Sequence, residues 1–244
     1  MLSELFQYRR IKCIFAQNIS EVSKNKLKKF AEMEGFAHAV QPNLKEVDKG
    51  FDLKGNWKRD FFKNDLPIVL ELGCGKGEYT VALAEKYPGK NFIGIDVKGS
   101  RMWNGAKKVF ERGLNNAAFL RVHIEEIISY FDQNEVDEIW ITFPDPHIKY
   151  RRRKKRLTHP VFLEKYKQIL KPNGIVHLKT DSAFLHGYTR GVLEVLEHPI
   201  LDCTHNLYES RKDWELLEIK TYYENLFYSK GFPITYIQFQ LNRD

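Results

Sequence analysis

Three cysteines in 244 residues are too few and too scattered to frame a disulfide scaffold. Cys13, Cys74 and Cys203 are odd in number, and none sits in a CxxC or Cys/His spacing. The expectation is reduced thiols in a cytoplasmic protein, with no metal site. Long apolar runs are missing too. No stretch approaches about 18 apolar residues, so neither a membrane span nor a membrane partner is expected. The N-terminal stretch holds Arg9, Arg10 and Lys12 without an apolar core of signal-peptide length. There is no internal repeat and no low-complexity segment.

What is present is an ordinary globular composition with a basic bias. Hydrophobic residues at 43% suffice for one α/β domain with extensions. A net charge of +7 and a pI near 9.1 favour an anionic partner, nucleic acid first. The chain divides into a basic N-terminal extension, 1–66, and a domain, 67–244. The extension carries Tyr8 to Lys12 and Lys24 to Lys29, both basic, and a turn-rich stretch from Gly50 to Trp57. It reads either as an arm touching nucleic acid or as a lead-in packed over the sheet.

Alternation begins at Pro67. Short apolar runs at 67–72, 91–95, 117–122, 138–143 and 175–179 suit buried parallel strands. Helical patterns fall between them at 78–87, 98–112, 125–131 and 160–170, with one more at 184–196. This is an α/β chain with a doubly wound, Rossmann-like sheet. Runs at 201–207 and 234–241 add an antiparallel pair at the C-terminal edge.

Two stretches carry chemistry. The first is Glu71-x-Gly73-x-Gly75-x-Gly77, between a strand and a helix. Glycines permit positive φ and close approach of a ligand to the backbone. A dinucleotide fingerprint needs a further glycine where Glu78 stands, and a carboxylate is a poor neighbour for pyrophosphate. A ligand without phosphate there fits better. S-adenosylmethionine is one, with Glu71 able to face its cationic methionine end. Asp96, at the end of the second strand, is placed to accept from both ribose hydroxyls.

The second stretch is Phe143 to Leu157, FPDPHIKYRRRKKRL. Pro144 and Pro146 make a stiff corner that presents Asp145 at a strand's C-terminal end. A cationic run from Lys149 to Arg156 follows, which suggests chemistry beside a polyanion.

These motifs, with Thr180-Asp181 and Thr221-Tyr222-Tyr223-Glu224, resemble the bacterial tRNA (guanine-N7-)-methyltransferase family over roughly residues 66–241. The resemblance implies a class I methyltransferase sheet, S-adenosyl-L-methionine as cofactor and tRNA as partner, in a monomer or homodimer. It implies N7-methylation of a guanosine in the tRNA variable loop, at tRNA position 46. It assigns Glu71, Gly73, Gly75, Asp96, His123 and Asp145 to the cofactor, with Asp145 also catalytic. It assigns Lys149, Asp181, Thr221, Tyr222, Tyr223 and Glu224 to the substrate. It assigns Arg151, Arg152, Arg153, Lys154, Lys155 and Arg156 to RNA contact. Two positions depart from the family pattern. His147 stands where a tryptophan often follows Pro-Asp-Pro. Val122-His123-Ile124 stand where an acidic or amide residue usually follows the third strand. From the residues alone, Thr221 and Glu224 also read as a helix capping box.

Rival readings are a nicotinamide-dependent oxidoreductase on the same fold, an amino methyltransferase and a non-catalytic RNA-binding protein. The first needs the missing GxGxxG and leaves the basic run without a task. The second commonly uses Asn/Asp-Pro-Pro-aromatic, where this chain has Pro-Asp-Pro-His. Intact Glu71, Asp96 and Asp145 argue against the third.

Overall fold

The computed structural model describes residues 27–43 and 50–243. Tyr8 to Lys12, Cys13 and Lys24 to Lys26 lie outside the described residues. The strands are β1 (Ala39–Val40), β2 (Ile68–Leu72), β3 (Asn91–Ile95), β4 (Ala117–Leu120), β5 (Val136–Thr142), β6 (Leu170–Thr180), β7 (Ile200–Thr204) and β8 (Thr235–Gln240). They form one sheet in the order β1-β4-β3-β2-β5-β6-β8-β7. Every pair from β1 to β6 is parallel, while β8 runs antiparallel to β6 and to β7.

The helices are α1 over 27–34, α2 (Glu78–Lys86), α3 (Gly99–Arg112), α4 (Pro160–Ile169), α5 (Ala183–Val195), α6 (Leu207–Ser210) and α7 (Tyr222–Tyr228). All five residues of β2 and of β3 are buried, as strands covered on both faces require. Along β5, Ile139 and Ile141 join one core layer and Trp140 the other, which is the two-residue period of a pleated strand. Trp140 stacks flat on His177, centroids 3.9 Å apart.

Three local expectations shift. The helix expected at 125–131 is a 3-10 turn, Ile124–Ser129. The strand expected at 175–179 begins earlier, at Leu170, and runs through Pro172 and Asn173, the latter at φ 63°. The stretch near Trp57 is no open loop. It is a π-helical turn, Trp57–Phe62. Trp57 is fully buried, and its indole N–H donates to the Tyr130 carbonyl at 3.0 Å. Upstream of it, β1 extends the sheet edge beside β4.

The chain builds β2, β3 and β4 outward, then crosses back to lay β5 on the other side of β2. That reversal opens a crevice beyond the carboxyl ends of β2 and β5, where ligands of doubly wound sheets bind.

Candidate active site

A cavity of about 920 Å³ occupies this crevice. Glu71, Gly73, Gly75, Asp96 and His123 line one part of it, and Thr142, Phe143, Asp145, His147, Lys155, Asp181 and Thr221 to Tyr223 line the rest. The structure thus brings together residues more than a hundred positions apart.

Gly73 and Gly75 adopt φ of 77° and 55°, the left-handed region where a side chain is strained. Gly77 has a different task. A Cβ there would lie 2.4 Å from the Phe119 ring, so this glycine lets α2 close onto the sheet.

Glu71 is 4% exposed. It accepts from the Thr80 N–H at 2.9 Å, from the Thr80 hydroxyl, and from the Thr142 hydroxyl at 2.7 Å. Burial pushes its carboxyl up to about 7 against those hydrogen bonds, with Asp96 adding to the rise. A cation arriving beside Glu71 would reverse that push. Asp96 accepts from the Gly75 N–H at 3.0 Å and from the Lys98 N–H at 2.8 Å. Both its oxygens are therefore oriented by backbone, and each keeps a lone pair for a hydroxyl donor.

Asp145 is exposed and is held from both sides. Phe143 and His147 take φ of 47° and 42°, left-handed values rare for non-glycine residues and concentrated at functional sites. Asp145 Oδ1 accepts the His147 N–H at 3.0 Å, and Oδ2 lies 3.5 Å from His147 Nδ1. The Phe143 N–H donates to the Lys179 carbonyl at 2.8 Å. The corner is pinned to β6 on one side and folded over its own carboxylate on the other.

Beyond it, Tyr150–Lys155 forms a 3-10 helix. Lys149, Arg151, Arg152, Lys154 and Lys155 are exposed, Arg153 half-buried, its guanidinium 4.1 Å from the Tyr150 ring centroid. Lys149 does not line the cavity. Arg156 departs from the expectation of RNA contact. It is 5% exposed, lies over the rings of Tyr188 and Phe184 at 4.3 and 4.8 Å, and donates to the His147 carbonyl at 3.2 Å. An arginine sandwiched by aromatic faces staples the basic turn to α5 rather than meeting solvent.

Asp181 is half-buried on the cavity wall, and burial raises its carboxyl. Thr221 caps α7, and Glu224 returns the bond, completing the capping box. Thr221, Tyr222 and Tyr223 reach the cavity. Glu224, expected among the substrate contacts, does not. Its side chain is fully buried 2.7 Å from Lys179 Nζ and accepts the Tyr208 hydroxyl at 2.7 Å.

Sequence reasoning missed the partners of these groups. Thr80 and Thr142 hold Glu71. The Glu78 carboxylate, which spoils a dinucleotide turn, accepts the Tyr222 N–H at 2.8 Å, while Lys76 Nζ lies 4.4 Å from the Tyr222 ring centroid. No local signal marks these interactions, because each joins side chains or backbone of different elements.

Comparison with known proteins bears on the family and the fold. Residues 65–237 match the family model described as "Putative methyltransferase". The tRNA (guanine-N(7)-)-methyltransferase of Christiangramia forsetii is 57% identical, covering 90% of this chain and 99% of that protein. The protein of the same name from Bacteroides thetaiotaomicron is 49% identical over 91% of this chain and 88% of its own. Among solved structures, 16S rRNA methyltransferase KamB aligns with a TM-score of 0.56 at 19% identity, covering 79% of this chain and 94% of that one. That likeness establishes the fold, a class I methyltransferase sheet. The family match and the identities above place the chain in the tRNA (guanine-N(7)-)-methyltransferase family.

Proposed function

We propose that this protein transfers a methyl group from S-adenosylmethionine to N7 of a guanosine in the variable loop of tRNA, at position 46. The observation that carries the reading is the single crevice joining the Glu71–Gly75 turn and Asp96 to Asp145, Asp181 and the Thr221–Tyr223 turn. Its donor side suits the cofactor. The left-handed glycines leave the backbone open, Asp96 is positioned for ribose hydroxyls, and buried Glu71 answers a positive charge.

When bound, the cofactor supplies an electrophilic methyl on a cationic sulfur. Guanine N7 brings a lone pair and no proton, so no residue needs to act as general base. The chain's principal task is alignment, which lowers a barrier by several kcal/mol when reacting atoms are held near each other. Positive charge moves onto the purine during transfer, and the Asp145 carboxylate stabilises it there. Asp181 would accept from guanine N1–H and N2–H, donors that adenine does not present. Tyr222 and Tyr223 offer exposed ring faces, and Lys149 an exposed cation. The exposed cations of the 3-10 helix bind phosphates, giving affinity and register but not base identity. The setting is cytoplasmic. Among the described residues no helix is long and apolar enough to cross a membrane.

The test is incubation with unmodified tRNA and labelled donor, followed by nucleoside analysis. N7-methylguanosine is the expected product. Methylation at another purine position refutes the reading.

A further inference from the structure

We propose that Lys179 is a positioning residue for the methyl acceptor, setting the place of the Thr221–Tyr223 turn relative to the Asp145 corner. The inference rests on the reading of the crevice as a methyltransferase site. Lys179 lies within β6 and is fully buried, a costly place for an ammonium unless it is paired. Its partner Glu224 is equally buried, and their charged atoms stand 2.7 Å apart. The two groups are an ion pair at hydrogen-bonding distance, enclosed on all sides by the core.

Glu224 passes this anchoring on. It is the third residue of the capping box, and its other oxygen accepts the Thr221 N–H at 3.4 Å while its own N–H donates to the Thr221 hydroxyl at 3.1 Å. Fixing Glu224 fixes Thr221, and with it the two tyrosines that follow. The backbone carbonyl of Lys179 meanwhile receives the Phe143 N–H that begins the Pro-Asp-Pro corner. One residue therefore touches both halves of the acceptor side. Its backbone holds the corner, and its side chain holds the turn opposite. A shift of about 1 Å between such halves is enough to slow transfer about a hundredfold.

The pair cannot be probed by removing one partner, because the remaining buried charge would threaten the fold. The experiment uses the full chain carrying K179M/E224Q, which removes both charges, beside K179R, which keeps them. Measured are KM and kcat with unmodified tRNA, the Kd of S-adenosylmethionine, and hydrogen exchange of the Tyr222 amide. For K179M/E224Q the expected result is a KM for tRNA raised about tenfold, a donor Kd changed less than about twofold, and Tyr222 exchange faster about tenfold. K179R is expected within about threefold of the wild-type KM. A wild-type KM in the folded double variant overturns the proposal. So does a parallel rise in KM and donor Kd, which marks general loosening. Should the double variant not fold, K179Q/E224Q, which removes both charges but keeps hydrogen-bonding groups on both sides, is read in the same way; a KM raised about tenfold at unchanged donor Kd is expected, and a wild-type KM overturns the proposal. A wild-type chain that methylates no tRNA counts against the function instead, and Tyr222 exchange unchanged in K179M/E224Q overturns the positioning role independently of activity.

Discussion

The two walls of the crevice are built on opposite principles. On the donor wall, Glu71 is buried and already holds three hydrogen bonds from Thr80 and Thr142. On the acceptor rim, Asp145 and the cations after it face solvent, and Lys149, Arg151, Arg152, Lys154 and Lys155 form no ion pair with a described residue. A buried polar group left unpaired is expensive, so the donor wall satisfies itself internally and stays rigid. Exposed cations give up little by waiting for a polyanion, and they act over a Debye length of roughly 10 Å. The contrast predicts that changes to the donor wall alter folding and proton linkage, whereas changes to the rim alter rate and salt dependence.

The largest effect is expected at Asp145, where the rim meets the chemistry. Asp145→Ala should cut kcat at least about a hundredfold and leave tRNA affinity nearly unchanged, as removal of a transition-state interaction does. Equal drops in kcat and affinity, read from single-turnover rates and filter binding, would move Asp145 from charge stabilisation to binding. Next come the cations. R151A/R152A/R153A should weaken all tRNA binding about a hundredfold and reduce the salt slope of log K by about one unit for each phosphate no longer neutralised. An unchanged slope would remove this turn from the RNA footprint.

The donor wall should respond to protons instead. Glu71 has its carboxyl raised to about 7, and only its ionised form attracts a cationic ligand. Donor affinity should therefore be full above pH 7 and fall as pH drops through 7, by up to about tenfold per unit until the complex itself protonates. The sign for folding is opposite. The raised carboxyl favours the folded state at low pH, and that contribution is lost as pH rises from the unfolded value toward 7. Titrating donor Kd from about two units below to about one unit above that midpoint, with Glu71→Gln as the flat control, checks the first sign. The smallest effect is at Thr142. Thr142→Val removes one of the hydrogen bonds to Glu71 and should cost about 1–2 kcal/mol of stability, seen as a lower denaturation midpoint. A comparable change in salt-dependent tRNA binding would blur the distinction between the two walls.

Much of this was legible in the linear chain. The alternation of strands and helices, the glycine turn and the strand-end carboxylates Glu71, Asp96 and Asp145 follow from patterning, turn chemistry and proline stiffness. Those are local properties, and the sheet preserved them. Arg156 was not legible, and Glu224 was legible as a cap but not as the partner of Lys179. Arg156 sits in a run of cations with nothing to distinguish it, yet aromatic rings from α5 cover it. The residues alone make Glu224 a cap and the family resemblance makes it a substrate group; the structure shows the cap, with Lys179 beneath it.

The sequence by itself determined the fold class, the glycine turn with its nearby carboxylates and the ligand type its turns can accept. All of these rest on periodicity and backbone geometry within about twenty residues. Only the tertiary structure decided which charged groups face the crevice and which are spent holding it together. That assignment depends on burial and on partners tens of residues away, such as Lys179 beside Glu224 and Arg156 beneath Tyr188, and neither has a signature in local sequence.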